Sequence, residues 1–336
     1  MTLLQTSREI FQKAALTAKN ASKVDCKPLR SNIYAEGRKS LVSLIRTEDR
    51  EEGVKKALRL IGEMTPLIRN LDENYVLVKP NCNSHDPFPA STHPHTLRVI
   101  LTLLIKAGLK QEQIIVGDMS GPAWLPTEAT MKKNGILNAA KEFGVKVSFF
   151  EKEEWVWVKP EKALSWPIGF RIAKTAYDAS RIISLPCLKT HQFGGVFTLS
   201  LKNSVGMINP ADRSILHKKP GFRIAEINLA YTSDLMVLDG LSCFVSGGPA
   251  HGKKVVSGVV IAGSDRVAVD TVGVAILKFF KAEGIKGIRV KSHDQLKKAA
   301  ELGIGHLNAD MISLKALNMT DDERFDDMVK FIKRQL

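Results

Sequence analysis

The sequence predicts an α/β protein: a mostly parallel, doubly wound sheet with flanking helices, extra N-terminal helices and a C-terminal α/β extension. Three observations lead there. Residues 75–150 alternate short apolar runs with helical stretches in the order βαβαβ, a pattern that calls for right-handed crossovers and a parallel sheet. The runs at 75–78, 114–117, 182–185 and 234–238 are almost continuously apolar, as strands covered on both faces are. The chain has 336 residues, 44% of them hydrophobic, enough to build a full core.

Each element follows from its local pattern. Residues 1–24 and 48–70 carry apolar spacing near 3.6 and read as helices, with an irregular stretch 25–47 between them. The strand 75–78 runs into KPNCNSHDPFPASTHPHT, whose four prolines and three histidines in 18 residues rule out regular structure. Long loops of this kind are functional or disordered. A helix at 97–108 closes on Gly108. The strand 114–117 ends in GDMSGP. A helix over 127–143 has Glu128 in its first turn, where the macrodipole favours an acid, and Gly144 closes it before a strand at 145–150. Trp155 and Trp157 alternate in an antiparallel or edge piece.

The segment 181–208, RIISLPCLKTHQFGGVFTLSLKNSVGMI, opens as a buried strand and breaks at Pro186. It then releases Lys189, Thr190 and His191 before the pair Gly194-Gly195, which lets backbone come close to a ligand. Further on, 222–231 reads as a helix, 234–238 as a strand, and VSGGPAHGKK as a glycine-rich loop. A strand at 257–262 leads into a helix over 266–280, with Ser264 or Asp265 as its N-cap. A helix near 293–302, a strand near 311–314 and a helix over 321–335 complete the chain. The expected organisation is an N-terminal helical extension over 1–72, an α/β core over 73–280, and a C-terminal helical extension over 281–336 packing on that core.

Composition bounds the function. No apolar run approaches the ~20 residues of a membrane span, and the first twenty residues lack an apolar export core. A cytoplasmic protein with no membrane contact is the expectation. The formal net charge of +14 predicts attraction to a small anionic ligand or to polyanions. The lysine pairs at 132–133, 218–219, 253–254 and 297–298 are scattered, and no nucleic-acid-binding motif accompanies them, which argues against nucleic acid as a partner. Four cysteines without CxxC spacing (Cys26, Cys82, Cys187, Cys243) predict reduced thiols and no iron–sulfur cluster in this chain.

Four strand ends release polar groups, and in a parallel sheet the C-terminal ends share one edge where open α/β folds bind ligands. Lys79, Asn81, Asn83 and His85 follow the first, Asp118 and Ser120 the second, Lys189, Thr190 and His191 the third, and Asp239 the fourth. The anion-binding set is Lys79, Asn81, Lys189, Lys202 and Asn203. His191 is the acid/base candidate, because imidazole titrates near ~6.5. Asp118 and Asp239 would orient His191, a metal or a substrate hydroxyl. His93 and His95 in THPHT are candidate ligands for a divalent metal; equally, Thr92 caps a helix there with Pro94 at its first position. Asp270, inside an apolar helical pattern, is either buried and paired or faces the site. The loop GGPAHG presents backbone N–H groups to an anion or is a plain turn; it matches neither GxGxxG nor GxxxxGK[ST].

The ordered set VLVKPN (76–81), THPHTLRVI (92–100), IIVGDMSG (114–121), LPCLKTH (185–191), TLSLKNSVGMI (198–208), VLDGL (237–241) and IAGSDRVAVDTVG (261–273) resembles the domain-of-unknown-function 362 family over about 75–275. Many members of that family append a ferredoxin-type module, which implies a redox partner protein as the alternative to an enzyme; this chain has no cysteine run of that kind. A fainter resemblance is to the nickel-pincer lactate racemase family, through His191, Gly194-Gly195 and Lys202. The lysine is one position off that pattern and an SGG element is missing, so neither nickel nor racemase activity is carried over. The expectation is an enzyme acting on a small carboxylate or phosphate compound at the strand C-terminal edge.

Overall fold

The structure, a computed structural model, describes residues 3–17, 20–69, 71, 74–193 and 196–336. The expected glycine pair, Gly194-Gly195, lies outside them. The main sheet runs in the spatial order Ile312–Asn318, Lys39–Arg46, Lys254–Gly263, Leu235–Phe244, Arg181–Leu185, Val76–Pro80, Ile114–Asp118, Lys146–Phe149. The last five are mutually parallel. Lys254–Gly263 is antiparallel to both of its neighbours, and Lys39–Arg46 pairs parallel with Ile312–Asn318.

Alternation along the strands builds a core on each face. Leu77, Ile182, Met236, Leu238, Val259 and Ile261 face one apolar cluster, while Val76, Val78, Ile183, Val237, Val260 and Ala262 face the other. The first is covered by the helix Arg266–Phe279, the second by Arg50–Ile61, Pro94–Lys106 and Ile136–Glu142. The mixed α/β, doubly wound reading is therefore what the chain forms. From Val76–Pro80 the chain winds outward through 114–118 and 146–149, then returns to Arg181–Leu185 on the opposite side. The gap between Val76–Pro80 and Arg181–Leu185 is thus the switch point where a crevice opens.

Several elements differ from expectation. The stretch 25–47, read as irregular, contains the eight-residue strand Lys39–Arg46 inside the main sheet. Its KSLVSLIR pattern is covered by the C-terminal strand Ile312–Asn318, a tertiary partner that local pattern does not reveal. The N-terminal segment therefore supplies a strand to the sheet rather than helices alone, while the strand expected near 311–314 is present as Ile312–Asn318. The helix expected over 127–143 is two, Thr127–Lys133 and Ile136–Glu142, because Gly135 between them takes a left-handed conformation with φ +85°. Trp155–Val158 is antiparallel as expected, but to Phe170–Ala173 in a separate three-stranded sheet. Among the described residues no helix is long and apolar enough to cross a membrane.

Candidate functional site at the switch point

At the C-terminal end of Val76–Pro80 the side chain of Lys79 is driven into the crevice, where it is 1% exposed. Its ammonium donates to Asp118 Oδ1 at 2.7 Å, to Asn203 Oδ1 at 3.2 Å and to the Pro80 carbonyl at 3.0 Å. Asp118 ends the adjacent parallel strand and also accepts from the backbone N–H groups of Cys82 and Met119 at 2.7 and 2.8 Å. Burial and the Asp118 charge push the Cys82 thiol well above its usual range. Gly206 lets backbone lie against this pair: a Cβ there would sit 2.6 Å from Lys79 Nζ and closer still to Asp118 Oδ1.

The proline-rich segment after Lys79 is ordered, cinched at its base by Asn81 and Thr92. Thr92 Oγ1 accepts from Asn81 N at 2.7 Å and donates to the Leu185 carbonyl at 2.6 Å, and Thr92 N donates to Asn81 O. The chain beyond Pro186 does not simply break. It resumes as Cys187–Thr190, parallel to Leu235–Phe244 and antiparallel to Phe197–Thr198. That places Lys189 in a strand, fully buried, with its ammonium donating to the carbonyls of Ala90 and Pro249 and to Asn81 Oδ1. Burial lowers its pKa. The loop GGPAHG thus offers the site a carbonyl acceptor, Pro249 O, where an array of N–H donors was one expectation.

Lys202 lies in the short helix Ser200–Asn203, whose first turn is held by Asp270 from the helix Arg266–Phe279. Asp270 is buried and accepts from Ser200 N at 2.8 Å, from Ser200 Oγ and from Leu201 N at 3.0 Å. Of its two expected positions, it takes the buried and paired one. Burial raises its carboxyl from 3.8 to about 7. A raised acid binds its proton more readily folded than unfolded, so stability falls as pH climbs from about 4 to about 7. Asp270→Asn is expected to flatten that segment of the stability profile, read as urea midpoints across the window; an unchanged slope contradicts the assignment.

Lys202 itself is half-buried and makes no hydrogen bond or ion pair with a described residue. Burial, with the charges of Lys189 and Arg213, lowers its ammonium to about 7. Asn203 accepts from Lys79 and from Asn81 Nδ2, and donates to Ser184 Oγ at 2.8 Å. His191 Nδ1 accepts from the Phe193 N–H at 3.2 Å, so the neutral ring carries its proton on Nε2. Burial, then Lys202, Lys189 and His217, lower it to about 2.

These groups line one cavity together with Thr198 and Arg213. The sequence reading missed Arg213. It has no strand-end position and is buried by tertiary packing, donating to the carbonyls of Ile208, Ser120 and Met119. Burial lowers its guanidinium to about 10, with Asp118 and Glu151 opposing. Thr198 Oγ1 is buried without a partner among the described residues. The wall carries four cations, Lys79, Lys189, Lys202 and Arg213, against the single carboxylate of Asp118. The cavity is small, about 40 Å³, against the ~10–15 Å³ that one water requires.

Asp239, His93 and His95 do not join this cavity. Leu235–Phe244 is ten residues long, which puts Asp239 in mid-strand opposite Val260 rather than at a strand end. Its carboxylate is taken by Arg50 Nε and Thr96 Oγ1, both at 2.6 Å. His93 is the N-cap of Pro94–Lys106, a place expected for Thr92, and its Nδ1 accepts from His95 N at 3.1 Å. Burial lowers His93 to about 4. His95 Nε2 turns to Glu51 at 3.3 Å. Among the described residues no three His, Cys, Asp or Glu side chains gather as a metal site.

Comparison with known proteins adds three findings. The sequence model of a family described as a domain of unknown function (DUF362) matches residues 76–275. The thylakoid-associated protein sll1697 of Synechocystis sp. (strain ATCC 27184 / PCC 6803 / Kazusa) is 26% identical over 251 residues, 70% of this chain and 74% of that protein. The lactate racemase apoprotein from Thermoanaerobacterium thermosaccharolyticum aligns with a TM-score of 0.38 and 12% identity, over 86% of this chain and 85% of that one; a likeness of that size carries no functional weight.

Proposed function

We infer that this chain, which belongs to the domain-of-unknown-function 362 family, is an enzyme that holds a small carboxylate or phosphate compound in the switch-point cavity. The family's description carries no activity, so the reading rests on the cavity. One observation carries it: among the described residues Lys202 is a cation without a side-chain partner, set with Lys189 and Arg213 in a cavity lined by one carboxylate, itself already engaged. An uncompensated cluster of this sign is stabilised by an anion.

Donor counting divides the work. Lys79 and Lys189 each have three acceptors for their three protons, so they supply field rather than free donors. Lys202 retains three donors, and Arg213 keeps two of its five N–H groups beyond the three it uses. The Thr198 hydroxyl and His191 Nε2–H complete the set. A proton carrier works best with a pKa near the working pH, which favours Lys202 at about 7 over His191 at about 2. In this reading His191 is a neutral hydrogen-bond donor, and Asp118 fixes Lys79 rather than orienting His191.

Sulfate is a suitable probe because its charge is constant near neutral pH. Calorimetric titration at low ionic strength is expected to show saturable binding at one site per chain. No binding, or a weak unsaturable response, contradicts the reading.

A further inference from the structure

We propose that Lys202 is a covalent residue, whose amine condenses with the carbonyl carbon of a small 2-oxo acid to form an iminium. This deepens the anion-site reading and rests on it: the anionic group of such a compound takes the free N–H groups of Arg213, and its carbonyl meets Lys202.

The three lysines of the cavity differ in one respect that matters for nucleophilicity. The ammonium groups of Lys79 and Lys189 are each tied to three oxygen acceptors, which hold their protons and leave no lone pair to offer. Among the described residues Lys202 has no such acceptor, and the charges that bear on it are the cations Lys189 and Arg213. The one carboxylate of the wall, Asp118, is engaged by Lys79 and two backbone N–H groups. A desolvated lysine beside other cations is the arrangement that frees an amine near neutral pH. The depressed ammonium of Lys202 agrees with it. The volume of about 40 Å³, room for about three waters, limits the compound to a few heavy atoms.

The step balances without a co-reactant. The Lys202 Nζ lone pair attacks the carbonyl carbon, the C=O π pair moves to oxygen, and that oxygen takes a proton. Nitrogen gives up a proton, the hydroxyl leaves as water with a second one, and the remaining nitrogen pair closes the C=N bond. Starting from the ammonium, the products are the iminium and one water, with no net proton change. His191 Nε2–H and the unpartnered Thr198 hydroxyl are the donors available to the oxygen.

The test is incubation of the full chain with glyoxylate and cyanoborohydride, followed by peptide mass mapping. Hydride addition to the iminium carbon leaves a carboxymethyl group on the modified lysine. The expected result is preferential labelling of Lys202 at neutral pH, suppressed by sulfate, with no label at that position in Lys202→Arg. Labelling of Lys202 no greater than that of the exposed Lys218 and Lys219 overturns the proposal, as does labelling indifferent to sulfate. These comparisons are made within the wild-type protein and do not depend on the variant folding. If sulfate binds by calorimetry and Lys202 stays unlabelled, the covalent step alone falls; if sulfate does not bind, the anion reading falls with it.

Discussion

Lys79→Met is expected to destabilise the protein by about 3–5 kcal/mol, the cost of stripping one partner from a buried ion pair. Both side chains of the Lys79–Asp118 pair are 2% exposed, so solvent screens almost nothing. With the ammonium gone, the buried Asp118 carboxyl is left with the Cys82 and Met119 N–H groups. Asn203 and the Pro80 carbonyl lose a donor in the same step. Lys79→Met combined with Asp118→Leu is expected to recover part of the loss, because the stranded charge is what costs most. Urea unfolding at neutral pH reads both. A single variant within about 1 kcal/mol of wild type contradicts a pair of this weight.

Lys202→Met is expected to act in the opposite sense on stability and strongly on binding. The ammonium has no partner among the described residues, and its pKa is lowered from 10.5 to about 7. A base depressed by folding weakens the folded state where the unfolded chain would be charged. That penalty is present in full below about 7 and fades as pH rises toward 10.5. The methionine variant should therefore be more stable than wild type at and below neutral pH, with the gap closing on the alkaline side. Sulfate affinity should fall about 10- to 150-fold, the equivalent of one charge-assisted hydrogen bond of about 1.5–3 kcal/mol. In the wild type, affinity should decline as pH rises above 7 and level off near that of the variant, since the binding form is the ammonium. Denaturant unfolding across pH and calorimetry decide both. A variant that loses stability and keeps its sulfate affinity makes Lys202 an ordinary packing residue.

The parts legible in the sequence were those written locally. Apolar runs at 76–78, 114–116 and 182–183 are buried strands because both faces of the sheet are covered, and their carboxyl ends carry Lys79, Asn81 and Asp118 to one edge. Parallel order then brings Lys189 from the next strand into the same cavity. What stayed hidden depends on distant partners. The strand Lys39–Arg46 owes its place to residues 254–263 and 312–318. Asp239 looked like a strand end because the apolar run stops there, whereas the strand continues to Phe244 on the strength of its pairing with Lys254–Gly263. Arg213 enters the wall through carbonyls of residues 119, 120 and 208, a contact set with no sequence motif. Lys202 was already a candidate in the sequence; that its ammonium meets no acceptor among the described residues is what no spacing of residues encodes.

Diffraction from crystals grown with selenate, a sulfate analogue located by its anomalous scattering, addresses the anion cavity itself. The expected result is one ordered selenate within hydrogen-bond distance of Lys202 Nζ and the free N–H groups of Arg213, beside His191 and Thr198. Selenate bound only at exposed lysines such as Lys218, with the cavity empty at saturating concentration, would contradict it.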